Sequence, residues 1–198
     1  MGTKVRIWFE GAAYHVTARG NHKDNIFRER EDFQVYLSLI EQSLEYYKDM
    51  YNIICYCLMS NHVHILVKAN DSNIGRFIGR TNAMYAKWFN DKYKFVGHLF
   101  QDRYYAELIE NDIQMLTASR YIHLNPVRAN IVKNPRDYQW SSYSMVLGQV
   151  KSRAVKPEYI RSYFERNRSG ELYSEFVERG YQYPRGTRIL TNNKLMLL

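Results

Sequence analysis

Two histidines, His62 and His64, flank Val63 in the run Leu58-Met59-Ser60-Asn61-His62-Val63-His64-Ile65-Leu66-Val67. On a β-strand alternate side chains share a face, so the two imidazoles project together while Val63 turns to the core. A pair so placed has the geometry to hold one metal ion. It is equally the pattern of two histidines on a half-exposed strand face. A second motif, Tyr121-Ile122-His123-Leu124-Asn125-Pro126, adds weight to the metal reading. Residues four apart are neighbours on a helix, so the Tyr121 hydroxyl, a candidate nucleophile, lies beside the amide oxygen of Asn125. Pro126 is expected to end that helix at Asn125, leaving the amide able to turn toward a metal. Each residue also has a plainer reading, Tyr121 as packing and Asn125 as a helix stop. His123 falls on another face and takes no ligand role, and the spacing of His15 and His22 singles out neither.

If the Tyr121 helix packs beside the histidine strand, His62, His64 and Asn125 form a neutral set of two nitrogens and one oxygen. An ion held this way keeps most of its charge for a phosphate, which it polarises as a Lewis acid. Mixed nitrogen and oxygen ligation suits Mg2+ or Mn2+, whereas structural zinc sites are usually richer in sulfur. A phenol with a pKa near ~10 is a weak nucleophile without help. Its attack on a phosphodiester nevertheless keeps the bond's energy in a phosphotyrosine link, which another strand end can reverse. A tyrosine therefore separates strand transfer from simple hydrolysis.

The elements that must position these groups follow from the pattern. Tyr14 to Arg19 reads as a strand closed by Gly20-Asn21. Glu29 to about Asn52 is a helix on the recurrence of Phe33, Tyr36, Leu37, Ile40, Leu44 and Tyr47. Ile53 to Met59 and Asn61 to Lys68 are strands joined at Ser60-Asn61. A helix runs from Ile74 to about Tyr93, capped from Asn70-Asp71-Ser72-Asn73, with Phe77, Thr81, Met84 and Trp88 on one stripe. Arg103 to Ile109 is a fourth strand, and Asn111-Asp112 cap the helix that reaches about Leu124. This β-α-β-β-α-β order predicts an α+β fold, the ferredoxin-like split βαβ two-layer sandwich with a central antiparallel sheet. Beyond Pro126 a loop leads into short helices near Tyr143, Pro157 to Asn167 and Glu171 to Arg179, and positions from about 185 are expected to fray. The expected division is a domain over 1–148 and a basic, mainly helical C-terminal extension over 149–198.

Composition sets the partner class. The chain of 198 residues is 45% hydrophobic and 15% aromatic, enough for a core. No apolar run reaches the ~18 residues of a membrane span. Met1-Gly2-Thr3-Lys4-Val5-Arg6 lacks the apolar stretch of a secretory signal, so a cytoplasmic location is expected. Cys55 and Cys57 read as small buried side chains. The net charge of +8 is unevenly placed. Residues 1–119 balance fourteen Lys/Arg against fourteen Asp/Glu, while 120–198 carry fourteen against six, so the entire excess lies in the second part. That asymmetry points to a polyanion, and some of the eighteen tyrosines are of the kind on which unpaired bases stack.

Asn61-His62-Val63-His64-Ile65-Leu66-Val67 with Tyr121-Ile122-His123-Leu124-Asn125-Pro126-Val127-Arg128-Ala129 resembles the single-tyrosine HUH transposases, and within them the REP-associated tyrosine transposases. Tyr14 to Asn21, Gln101 to Tyr105 and Trp140 to Tyr143 are similar to the same group, so the resemblance covers about residues 10 to 145. It implies a divalent metal, Mg2+ or Mn2+, on His62 and His64, with Asn125 in the third-ligand position and Tyr121 as the nucleophile. It also implies single-stranded DNA folded into hairpins as substrate, cut and rejoined through a 5′-phosphotyrosine with a free 3′-hydroxyl. Arg19, Arg103, Arg128 and Lys133 are the candidate DNA contacts, and the protein is expected to act as a monomer or homodimer. The alternative is a catalytically silent hairpin-binding regulator of the same fold. A zinc hydrolase on the same histidines would need an acidic base, and none lies between Leu58 and Lys68.

Overall fold

A computed structural model of the chain describes residues 8–179, with the backbone alone of 188–191 and 194–197. Its central sheet has the order β2-β3-β1-β4. The strands are β1 (Ala12–Arg19), β2 (Tyr51–Met59), β3 (His62–Ala69) and β4 (Tyr105–Ile109). β1 lies between its neighbours, antiparallel to β3 from Ala12↔Ala69 to Arg19↔His62 and antiparallel to β4 from Ala13↔Ile109 to Thr17↔Tyr105. With helices α1 (Arg30–Tyr47) and α2 (Ile74–Tyr93) in the two crossovers, this is the α+β ferredoxin-like arrangement expected from the pattern.

The chain divides into two compact units. The first comprises residues 1–52 and 58–109. Its core is the buried face of α1 (Phe33, Tyr36, Leu39, Ile40) with Phe77, Ile78, Tyr85 and Phe89 of α2 and the strand residues Val16, Val63 and Ile65. The α2 stripe thus centres on Tyr85 and Phe89, at four-residue spacing from Phe77 and Thr81, and Met84 and Trp88 are only half-buried. Polar pairs fix the two helices: Tyr36 donates to Asn82 at 2.8 Å and Thr81 to Ser43 at 2.9 Å.

α1 begins with a capping box in which Asp32 accepts from the backbone of Glu29 at 3.0 Å and of Arg28 at 2.6 Å. Burial alone would push the Asp32 carboxyl up. The Lys92 ammonium at 2.9 Å, these two N–H groups and the Tyr93 hydroxyl outweigh burial and hold it below its ordinary value. A lowered folded-state pKa contributes stability that is present above pH ~4 and lost as pH falls through the folded value. Asp32→Asn should therefore cost roughly 2–3 kcal/mol at pH 7, and denaturant melts should show the gap to wild type closing in acid.

The second unit contains the middle of β2, residues 53–57, with residues from 110 onward. Its helices are α3 (Asp112–Arg128), α4 (Tyr143–Val146), α5 (Glu158–Arg161) and α6 (Ser169–Glu178). The strand segment is bonded to distant chain: Tyr56 N–H donates to Ser142 Oγ at 2.8 Å, Ser142 N–H to Tyr56 O at 3.0 Å and Lys156 N–H to Ile53 O at 2.8 Å. Cys55 and Cys57 are fully buried there and burial pushes both thiols up, so they are inert core side chains. The described positions after 148 pack within this same unit. Residues 188–191 and 194–197 pair as an antiparallel hairpin, β5 and β6. The other positions of the tail expected to fray, and the stretch Met1–Arg6, lie outside the described residues. No described helix is long and apolar enough to cross a membrane.

Candidate active site

The turn before β3 is held from three sides. Ser60 O accepts from Ile26 and Phe27, each at 2.9 Å, and Asn61 O accepts from Gly20 N–H at 2.9 Å. This anchoring sets the strand so that His62 and His64 share a face, with ring centroids 4.8 Å apart and planes nearly perpendicular. Asn61 fixes the first ring. Its amide nitrogen donates to Lys23 O at 3.1 Å, which turns Oδ1 toward His62 Nδ1 at 2.6 Å. An amide oxygen only accepts, so Nδ1 carries the proton and Nε2 the lone pair. Burial, then the cationic Arg19 opposite in the register, lowers the His62 pKa to about 4, so the ring is neutral near pH 7.

His64 is 5% exposed and meets two groups of β1 through Nδ1: Thr17 Oγ1 at 3.1 Å and His15 Nε2 at 3.0 Å. When Nδ1 donates to either, His64 takes the same tautomer as His62. His15 is the residue that sequence spacing missed. Thr17 lies directly opposite His64 and His15 lies diagonal to it, a relation that exists only once β1 is paired with β3. The signal available was the β-α-β-β-α-β order, which makes β1 and β3 neighbours. Burial lowers the His15 pKa, and Glu107, paired with it across β4, pulls it back up.

Tyr121 and Asn125 lie on α3, whose N-terminus is capped by Asn111 accepting from Gln114 N–H at 2.9 Å. α3 does not stop at Asn125. It continues through Pro126 to Arg128, which corrects the expectation that proline ends it. Pro126 falls in the last turn, where its missing N–H forfeits only the bond to Ile122 O, and its ring is buried. Nor is the Asn125 amide left to swing: its nitrogen donates to Tyr121 O at 2.9 Å. Its oxygen is therefore the atom that can serve as a ligand. Tyr121 is 38% exposed, and Arg128 sets its guanidinium over the ring, 5.0 Å from the centroid. His123 is structural: fully buried, it bonds Tyr173 OH at 2.7 Å and Ser142 Oγ at 3.0 Å.

Of the four candidate DNA contacts, Arg19 is exposed at the end of β1 opposite His62, and Arg103 is exposed in the loop before β4. Arg128 stands over Tyr121, and Lys133 is exposed beyond α3. Among the described residues no group of three or more His, Cys, Asp or Glu is arranged to hold an ion. An ion at the histidine pair would thus rest on two neutral nitrogens completed by oxygens of other kinds, such as an amide or a phosphate. Such a set is compatible with a divalent Lewis acid and lacks the sulfur in which structural zinc sites are usually rich.

A family model described as "Transposase IS200 like" matches residues 9–125. A protein of Haemophilus influenzae, named as a REP-associated tyrosine transposase, is 26% identical over 118 residues, covering 54% of this chain. This chain spans 65% of the length of that curated relative. A solved structure of a REP-associated tyrosine transposase bound to a REP hairpin is similar with a TM-score of 0.61 and 15% identity, over 79% of this chain and 98% of that one. At that identity the likeness is one of fold.

Proposed function

The chain belongs to the IS200-like transposase family, and from that premise we propose that it cuts and rejoins hairpin-containing single-stranded DNA through Tyr121, with a divalent metal. The observation that carries this reading is the histidine pair on β3, two rings 4.8 Å apart with Nδ1 of each engaged by a neighbouring side chain. Such engagement is what orients imidazoles for a metal. His62, His64 and Asn125 would hold Mg2+ or Mn2+, which when bound supplies Lewis-acid polarisation of the scissile phosphate.

The protein's own groups do the rest. The Tyr121 oxygen attacks phosphorus, giving up its proton. A phosphorus–oxygen bond to tyrosine forms as the bond to the 3′-oxygen breaks, and that oxygen leaves as a hydroxyl. A 3′-hydroxyl from another end reverses the exchange, so each bond broken is matched by one formed and no nucleotide cofactor is consumed. Arg128 beside the ring supplies positive charge for the phosphate under attack. The REP hairpin bound by the structural neighbour supports a hairpin as the duplex element of the substrate.

The test is incubation of the protein with hairpin-flanked single-stranded DNA and Mn2+ or Mg2+, followed by a search for a covalent protein–DNA adduct. Tight, salt-sensitive binding with no adduct under any metal condition would instead identify a silent regulator. His15 gives a separate check. His15→Phe removes the nitrogen that faces His64 Nδ1 and leaves Thr17 as its remaining β1 partner. It should weaken Mn2+ binding about tenfold by EPR titration, with little change in the melting temperature.

A further inference from the structure

Between α2 and the loop 97–104 of the first unit lies a groove of about 1100 Å³. Its floor is bare: Gly75, Gly79, Ala83 and Ala86 fall on one face of α2. Glycine inside a helix weakens it, so packing should justify the residue. At Gly79 packing does not, because an added Cβ would meet nothing within 4 Å. Two amides along the floor are half-used. Asn82, 6% exposed, accepts from Tyr36 through Oδ1 while its Nδ2 has no hydrogen-bond partner among the described residues. Asn90 donates to Gly97 O at 3.2 Å while its buried Oδ1 has none. A buried donor and a buried acceptor without partners among the described residues, in the wall of a groove, can be met by a ligand that offers both, as base edges do, when the side chains turn outward.

The rim indicates the ligand's charge. Arg76, Lys87 and Arg103 line it, with no ion pair among the described residues, against the single carboxylate Asp102. The volume exceeds the roughly 300–1,000 Å³ of ordinary small-molecule sites, which favours a stretch of polymer. The far wall is bonded to the end of β1: Gln101 N–H donates to Arg19 O and Asn21 N–H to Leu99 O, each at 2.9 Å. Arg19 is the register partner of His62, so the groove wall joins the strand end that lies beside the histidine pair.

We propose that this groove holds the unpaired DNA strand next to the hairpin, with its phosphates on Arg76, Lys87 and Arg103 and a base edge against Asn82. The inference rests on the reading of the protein as a single-strand DNA enzyme, and it adds the path by which unpaired nucleotides approach the histidines. The bare floor lets the strand lie close to the helix, where the two amides can turn to meet it.

Gly79→Leu fills the groove from a position where an added Cβ meets nothing within 4 Å, and its helix propensity should leave the melting temperature unchanged or raised. Binding is read by fluorescence anisotropy with three probes: a blunt hairpin, the same hairpin with unpaired extensions, and an unstructured single strand. Gly79→Leu should weaken binding of the two probes with unpaired nucleotides by at least about tenfold and spare the blunt hairpin. Lys87→Glu, on the exposed rim, should act in the same direction and flatten the salt dependence. Wild-type affinity of both variants for the unpaired probes would overturn the proposal, as would equal losses on all three. Tighter binding of the corresponding RNA strand would overturn the assignment to DNA. The unstructured strand keeps the test independent: if wild type ignores the hairpin, the hairpin reading fails while the groove is still judged by this probe.

Discussion

Tyr121→Phe is expected to abolish the covalent protein–DNA adduct and strand transfer while leaving hairpin affinity within about twofold of wild type. The substitution removes one oxygen and keeps the ring, so the stacking of Arg128 over it should persist. Loss of a nucleophile of this kind costs on the order of 10³-fold or more, which in a gel assay for the adduct means background. The ring and its packing are retained, so the melting temperature should barely move. A persisting adduct in Tyr121→Phe would show another residue to be the nucleophile. Two other tyrosines of the second unit are poor substitutes: Tyr143 is 1% exposed and donates to Glu178, Tyr173 is fully buried, and burial raises the pKa of both.

Replacing His62 and His64 together with alanine should remove metal-dependent cleavage, again by on the order of 10³-fold, while hairpin binding survives. Binding to folded DNA rests mainly on phosphate contacts, and neither imidazole supplies one. The two positions should differ in their side effects. His62 is half-exposed and hydrogen-bonded to its neighbour Asn61, so its loss should be close to neutral for stability. His64 is buried against His15 and Thr17, and His64→Ala leaves those groups facing a void, with a cost of roughly 1–3 kcal/mol. Cleavage by the double variant at wild-type rate with Mn2+ would remove the pair from the chemistry altogether.

What could be read from sequence, and what could not, divides along physical lines. α2 was legible almost to the residue, because a 20-residue amphipathic segment with Asn73 as its cap carries both period and boundary. The β2–β3 hairpin was legible from the strand pattern around Ser60-Asn61. The end of α3 was not. The rule that proline terminates a helix holds in the interior, and Pro126 sits in the last turn, where only one carbonyl loses a donor. The role of His15 was hidden for another reason. Nothing within its own strand marks it, and its significance comes from cross-strand register, a long-range relation. The glycines of α2 were visible in the sequence as exceptions to helix propensity, but only the open space above Gly79 gives them meaning.

The sharing of β2 has a consequence for heredity. Residues 53–57 hydrogen-bond to Ser142 and Lys156, while the remainder of the strand belongs with the first unit. A fragment beginning at residue 110 carries no Tyr56 or Ile53 to meet those bonds, and a fragment ending at 109 keeps a strand whose middle has lost them. A genetic crossover between codons 58 and 109 therefore joins the 53–57 segment of one parent to the Ser142 and Lys156 partners of the other.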